Sequence, residues 1–116
     1  MGVWEYFTPE QQERLSKRIE QVKKQLGLEP FKRLRSESNE VVSKLIEGFE
    51  NGIPPENEEM VALAKRLDES QALFNERDPE IERTVERFHV ENPDEKEHGM
   101  DLNIYRYIEK AKSYIR

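Results

Sequence analysis

The 116-residue sequence contains no cysteine and no long apolar run. Without thiols the chain cannot form a disulfide scaffold, an iron–sulfur cluster, a cysteine-ligated zinc site or a cysteine nucleophile. No segment approaches the ~20 apolar residues of a membrane-spanning helix, and no basic segment precedes an apolar stretch as in a secretory signal. Hydrophobic residues make up only 34% of the chain and charged residues 38%. We therefore predict a cytoplasmic protein without a membrane-spanning part.

Positive charge is also scarce outside the first third of the chain. Residues 1–35 carry 8 Lys/Arg and 5 Asp/Glu, a net charge of +3, whereas residues 36–116 carry 11 and 20, a net charge of −9. The overall charge of −6 argues against nucleic-acid binding, because phosphates would be repelled. The basic residues between Lys17 and Arg35 form either a phosphate-binding patch or the solvated faces of two helices. We favour the second interpretation and predict no direct nucleic-acid contact.

The low apolar fraction could indicate disorder, but the spacing of the apolar residues indicates helices. Helix-start signals occur at Thr8-Pro9, Pro30, Asn57, Asp78-Pro79 and Asp101. Each is followed by apolar residues three or four positions apart, which form one narrow stripe per helix. The stripe of the first predicted helix consists of Leu15, Ile19, Val22 and Leu26, and that of the last consists of Ile104, Ile108, Ala111 and Ile115.

No segment alternates with a period of two for long enough to form a strand. Asn92-Pro93 must end the fourth helix, and a short helical turn is predicted from Pro93 to His98, with Gly99 ending it. The sequence thus predicts an all-α fold, a small bundle of about five amphipathic helices with a modest core. Residues 1–7 would form an N-terminal aromatic segment, and residues 8–116 a single helical domain.

Two Glu-x-x-His pairs, Glu86/His89 and Glu95/His98, have the spacing used by di-iron bundle proteins. At about 100° per residue, however, Glu86 falls outside the apolar face of its helix, and the second pair follows a helix-ending proline. Neither a Gly-x-Ser-x-Gly elbow nor a glycine-rich phosphate loop is present. We therefore predict no catalytic residue, no metal site and no cofactor, and a protein that is not an enzyme.

The aromatic residues at the two ends of the chain are candidates for binding. Trp4, Tyr6 and Phe7 precede the first helix, and on the last helix Tyr105 lies on one flank of the apolar stripe while Tyr107 and Tyr114 lie on the other. Aromatics beside a stripe either line a pocket or cover the edge of a small core. Likewise, the segment around Trp4 either folds over the body as a hydrophobic lid or only packs on the first helix.

Four segments, in this order, resemble a known family: FTPEQQERL, GFENGIPPENEEMVALAKRLDE, NERDPEIERTVERFHVENP and HGMDLNIYRYIEKA. They are similar to the TipAS-type domain, the C-terminal antibiotic-recognition domain of certain MerR-family transcription regulators. The similarity covers roughly residues 8–116 and depends on the order of the helices and on their turns. It involves no invariant catalytic residue.

The resemblance implies a globin-like bundle with a cleft for bulky hydrophobic compounds, including peptide antibiotics. It also implies that N-terminal segments become ordered when a ligand binds. Positions that would border the cleft are Leu67, Phe74, Phe88, His89, Met100, Tyr105 and Ile108, with Trp4, Tyr6 and Phe7 as closing residues.

The sequence departs from this family in two respects. Only about seven residues precede the first matched helix, so we expect a stand-alone recognition domain without the winged helix-turn-helix. Because there is no cysteine, a ligand would bind non-covalently. The leading hypothesis is therefore sensing or sequestration of a hydrophobic small molecule or peptide antibiotic. The alternative is a helical module that docks on a protein partner, such as a transcription regulator.

Overall fold

The computed structural model describes residues 2–115 and contains five α-helices. Met1 and Arg116, the outer ends of the two predicted segments, lie outside the described residues. The elements are a 3-10 helix Val3–Tyr6, α1 Pro9–Leu26, α2 Leu28–Glu50, α3 Glu58–Asn75, α4 Pro79–Glu91 and α5 Leu102–Lys112. Over residues 2–115 the only β-type pairing is one isolated bridge between Glu97 and Met100. The predicted all-α bundle is confirmed.

Side-chain caps begin four of the five α-helices where the sequence predicts them. Thr8 and Gln11 form a reciprocal capping box at α1. Asn57 Oδ1 accepts the amide of Glu59 at 3.0 Å. Asp78 and Asp101 cap α4 and α5 through bonds of 2.9 Å each. These caps satisfy first-turn amides that have no partner within the helix.

The start of α2 differs slightly from the prediction. The helix begins at Leu28 and carries Pro30 in its first turn. A proline is tolerated there because first-turn amides have no intrahelical acceptor. Gly27, with a φ of 87°, separates α1 from α2 and allows the chain to change direction at one residue.

The main core lies where α2, α3 and α5 meet. Its buried members are Val41, Leu45, Met60, Leu63, Leu67, Ile104 and Ile108. Gly48 permits close contact between α2 and α3, since a Cβ at this position would overlap the sulfur of Met60. This three-helix core supports one side of the cleft described below.

The stripe predicted for α1 is only partly buried. Val22 is 1% exposed, but Ile19 and Leu26 remain 36% and 42% exposed, and Leu28 at the start of α2 is also exposed. The helical period is therefore correct, although no described element covers most of this stripe. The last helix is also shorter than its predicted stripe, because α5 ends at Lys112 and Ile115 lies beyond its end.

The helical turn predicted between Pro93 and His98 is wrong. Residues Glu97 to Met100 form a tight hairpin in which these two residues exchange both backbone hydrogen bonds, at 3.1 and 3.0 Å. His98 and Gly99 at its tip have φ values of 54° and 83°. Two successive positive values characterise a type I′ turn and cannot continue a right-handed helix.

None of the helices within residues 2–115 is long and apolar enough to cross a membrane.

Candidate functional site

A cleft of about 650 Å³ opens beside the main core. Its walls come from the C-terminal half of α3, from α4, from α5 and from the Glu97–Met100 hairpin, with Phe7 and Leu15 at one side. Small-molecule sites in proteins typically occupy about 300–1,000 Å³, so the cleft has the size of such a site. A second depression, over residues 92–96, is smaller and more open.

Apolar and aromatic side chains make up much of the cleft lining. They are Phe7, Leu15, Leu67, Ala72, Phe74, Ile81, Val85, Met100, Tyr105 and Ile108. Several of them belong to helix stripes that are not completely covered by the main core. Leu15, Ala72, Phe74 and Val85 are half-buried, which leaves part of their apolar surface available to a ligand.

Tyr105 and His89 form an aromatic pair across the α4–α5 contact. Their ring centroids are 4.4 Å apart and the rings are tilted by 32°. On its other side, His89 meets the edge of Phe88 at 5.3 Å. Burial, followed by the nearby carboxylates of Glu109 and Glu86, raises the pKa of Tyr105, so this side chain is a neutral phenol.

His89 is the least expected member of the lining. It is 2% exposed, and its Nδ1 is the buried side-chain polar atom within residues 2–115 that has no hydrogen-bond partner. Burial lowers its pKa, against the opposing influence of Glu97 and Asp101, and thus favours the neutral imidazole. Because an unpaired buried polar atom is costly, a polar group inside an apolar cleft suggests a role in binding.

Polar side chains line the outer part of the cleft. Lys112 Nζ donates to Gln71 Oε1 at 2.7 Å and lies 3.1 Å from Glu109 Oε2. Arg77 Nη1 donates to Asp68 Oδ2 at 2.9 Å. These contacts link α3 to α5 and to the α3–α4 connection, and they place hydrogen-bonding groups in the cleft lining.

The α3–α4 connection contains two successive residues in the left-handed region. Glu76 and Arg77 have φ values of 53° and 58°, an uncommon left-handed pair for residues other than glycine. Asn75 supports the turn, since its Oδ1 accepts the amide of Arg77 at 2.9 Å and its backbone carbonyl accepts the amide of Asp78 at 3.0 Å. This turn joins α3 to α4, and both helices contribute residues to the cleft lining.

The N-terminal aromatic segment packs mainly on α4. The ring of Tyr6 meets the edge of Phe88 at 5.2 Å, and its hydroxyl accepts a hydrogen bond from Asn92 Nδ2 at 2.9 Å. Phe7 is buried and enters the cleft lining, while Trp4 remains 42% exposed with its ring against the edge of Phe7. One bond, from Gln12 Nε2 to the Trp4 carbonyl at 2.9 Å, connects the segment to α1.

The structure brings seven of the ten predicted site residues to this cleft. These are Phe7, Leu67, Phe74, His89, Met100, Tyr105 and Ile108. The other three lie outside its lining: Phe88 on α4 is fully buried, Tyr6 packs against Phe88, and Trp4 lies next to Phe7. Of the remaining tyrosines, Tyr107 donates to the Ile53 carbonyl at 2.7 Å on the opposite side of α5, and Tyr114 is exposed.

Sequence reasoning missed the polar part of the lining. The residues not anticipated there are Asp68, Gln71, Asn75, Arg77, Glu82, His98, Glu109, Lys112 and Ser113. In a sequence with 38% charged residues, nothing distinguishes a charge that faces a cleft from one that faces bulk water. Among the apolar lining residues outside the predicted site, Leu15, Ile81 and Val85 lie at helical spacing in the apolar stripes of their helices, which predicts burial but not a position at the cleft.

Both histidines of the two Glu-x-x-His pairs line the cleft, but Glu86 and Glu95 do not. His89 is buried against Tyr105, whereas Glu86 and His98 are exposed. Within residues 2–115, no group of three or more histidine, aspartate or glutamate side chains is placed to hold a metal ion.

Comparison with known proteins yields no relative. No family model, no curated protein and no solved structure matches the chain.

Proposed function

We propose that the protein binds a bulky, largely apolar small molecule or peptide non-covalently in the cleft between α3, α4 and α5, as a cytoplasmic sensing or sequestering domain. The observation that carries this proposal is the cleft itself, about 650 Å³ and lined by ten apolar or aromatic residues beside an unpaired buried imidazole. Burial of apolar ligand surface at about 25 cal/mol per Å² would supply the affinity. The resemblance to TipAS-type antibiotic-recognition domains supports the same assignment.

The arrangement of α4 suggests how binding would be transmitted. This helix forms one wall of the cleft, and Tyr6 attaches the N-terminal segment to it through Phe88 and Asn92. A ligand between α4 and α5 would touch Phe7 and thereby the segment that contains Trp4. We expect binding to reduce the exposure of this segment, which would couple the occupied cleft to the N-terminus.

Titration with the neutral apolar fluorophore Nile red tests the proposal. Ala72→Trp places an indole in the cleft and should weaken binding by at least about tenfold, since the bulky ring occupies the ligand's space. Ala62→Trp is the matched control, because Ala62 is exposed on the same helix and does not line the cleft. Circular dichroism establishes that both variants fold, and Val85→Trp on α4 provides a second blocking variant. Equal binding to the wild type and both blocking variants would refute the proposal.

Docking on a protein partner is the second candidate function. It is favoured by the exposed apolar side chains of Ile19, Leu26 and Leu28 around the α1–α2 junction, beside Lys23 and Lys24. Pull-down with the wild type and with an Ile19→Glu, Leu26→Glu double variant separates the two functions. Loss of a stoichiometric partner in the double variant, with Nile red binding unchanged, would favour docking.

A further inference from the structure

The charges around the cleft do not balance. Besides two histidines, the lining contains three carboxylates, Asp68, Glu82 and Glu109, and two cations, Arg77 and Lys112. Each cation lies within 3.1 Å of a carboxylate oxygen, so Asp68 and Glu109 each have a cationic partner. Glu82 makes no ion pair or side-chain hydrogen bond within residues 2–115. One negative charge at the cleft therefore remains unpaired.

Carboxylates near the Tyr105–His89 pair influence the protonation of both side chains. Glu109, Glu86 and Glu82 all favour the protonated form of Tyr105, which is the effect of negative charge on a phenol. Glu97 and Asp101 act in the same direction on His89, although burial outweighs them. Carboxylates of both α4 and α5, together with Glu97 and Asp101, thus act on the Tyr105–His89 pair.

The interior of the cleft suits a positively charged organic group in two further ways. Phe7, Phe74 and Tyr105 offer aromatic rings, whose faces attract cations by about 0.5–2 kcal/mol. His89 belongs to the same lining, and its buried Nδ1 has no hydrogen-bond partner, so the neutral imidazole retains capacity for a hydrogen bond. The missing partner of Nδ1 is an observation separate from the count of acidic residues, and a ligand group could supply that partner.

We propose that the ligand of the cleft is an organic cation, with an apolar, aromatic body against Phe74 and Tyr105 and its positive group beside Glu82. This inference rests on the proposed function, because it assigns the charge class of the ligand for the same cleft. An anion of equal size would meet the same apolar walls but a repulsive potential.

Tetraphenylphosphonium and tetraphenylborate test the charge preference, since they share shape and apolar surface but carry opposite charges. Displacement of Nile red measures both affinities. We expect the phosphonium to bind at least about tenfold more tightly than the borate at low ionic strength. The preference should shrink between about 20 mM and 500 mM salt, because the cleft is open and its charges are screened.

Glu82→Gln assigns the preference to a residue. It should weaken phosphonium binding about threefold to tenfold, as expected for losing one partly solvated charge at close range, and should not weaken borate binding. Glu47→Gln is the matched control, because it changes the net charge equally on an exposed part of α2 outside the cleft lining. It should leave both affinities within about twofold of the wild type.

The outcomes separate this inference from the proposed function. If Nile red binds and Ala72→Trp blocks it, but the borate binds as tightly as the phosphonium, the cation assignment fails while the binding cleft stands. A phosphonium preference that Glu82→Gln leaves unchanged also contradicts the assignment of Glu82. If none of the three probes binds the wild type, both proposals fail.

Discussion

Replacement of His89 by phenylalanine should stabilise the protein. The ring shape is retained for packing against Phe88 and Tyr105, whereas the unpaired Nδ1, which has no solvent contact, is removed. An unsatisfied buried polar atom costs about 1–3 kcal/mol. After a small penalty for the larger ring, we expect a gain of about 1–2 kcal/mol in the free energy of unfolding at pH 7.5. For a domain of this size, that gain corresponds to roughly 4–8 °C in Tm.

The stability advantage of His89→Phe over the wild type should grow as the pH falls. Burial lowers the pKa of His89 in the folded state below its ordinary value of 6.5, so below that pH the unfolded chain binds a proton that the folded chain does not. The contribution of the neutral imidazole to stability is complete above pH 6.5 and is lost as the pH falls towards the folded-state pKa. At pH 5.5 the advantage of His89→Phe should exceed its value at pH 7.5 by up to about 1.4 kcal/mol.

Urea unfolding of three proteins at pH 7.5, 6.5 and 5.5 measures both effects. His89→Gln is the matched control, since it removes the titration but keeps polar atoms at the same site. It should therefore lose the pH dependence without gaining the stability of His89→Phe. Equal or lower stability of His89→Phe at pH 7.5 would show that Nδ1 is not an unsatisfied buried atom. A pH dependence of His89→Phe identical to that of the wild type would show that burial does not lower the pKa of His89.

Three further substitutions test other parts of the structure. Gly48→Ala should lower the free energy of unfolding by about 1 kcal/mol in urea, because displacing the buried Met60 side chain costs more than the higher helix propensity of alanine returns, and an unchanged or higher midpoint would contradict the close packing of α2 and α3. Asp78→Ala should cost about 1 kcal/mol through the lost cap of α4, and a cost below about 0.3 kcal/mol would argue against that cap. Tyr107→Phe should cost about 1 kcal/mol through the lost bond to the Ile53 carbonyl but leave Nile red affinity unchanged, whereas weaker binding would place the site elsewhere.

The parts of the fold that follow from local chemistry could be predicted from the sequence. Thr8, Asn57, Asp78 and Asp101 begin helices because each side chain satisfies amides within three residues of itself. Such bonds do not depend on the rest of the molecule. The helix-ending effect of Pro93 is equally local.

The parts that depend on tertiary contacts could not be predicted in this way. The periodicity of Ile19 and Leu26 identifies a stripe but not whether another helix covers it. The His98-Gly99 hairpin requires a left-handed histidine, which a helix-ending glycine does not imply. Within residues 2–115, nothing local distinguishes Glu82, which lines the cleft, from the exposed glutamates elsewhere on α4.

For a related reason, the sequence predicts the apolar part of the candidate site but not its polar part. Stripe and flank positions such as Ile108 and Tyr105 follow from the angular arrangement of a helix. The polar lining arises where α3 and α5 approach, as in the contact between Gln71 and Lys112. Those two residues are far apart along the chain, so only the folded structure reveals that they share a surface.

The central claim, that the cleft is a ligand site, is tested most directly by NMR of the protein with Nile red bound. The account predicts nuclear Overhauser contacts from the dye to Phe74, Tyr105 and Met100, and the loss of these contacts in Ala72→Trp. Contacts to Ile19 and Leu26 on the exposed stripe of α1, with none to the cleft residues, would contradict it.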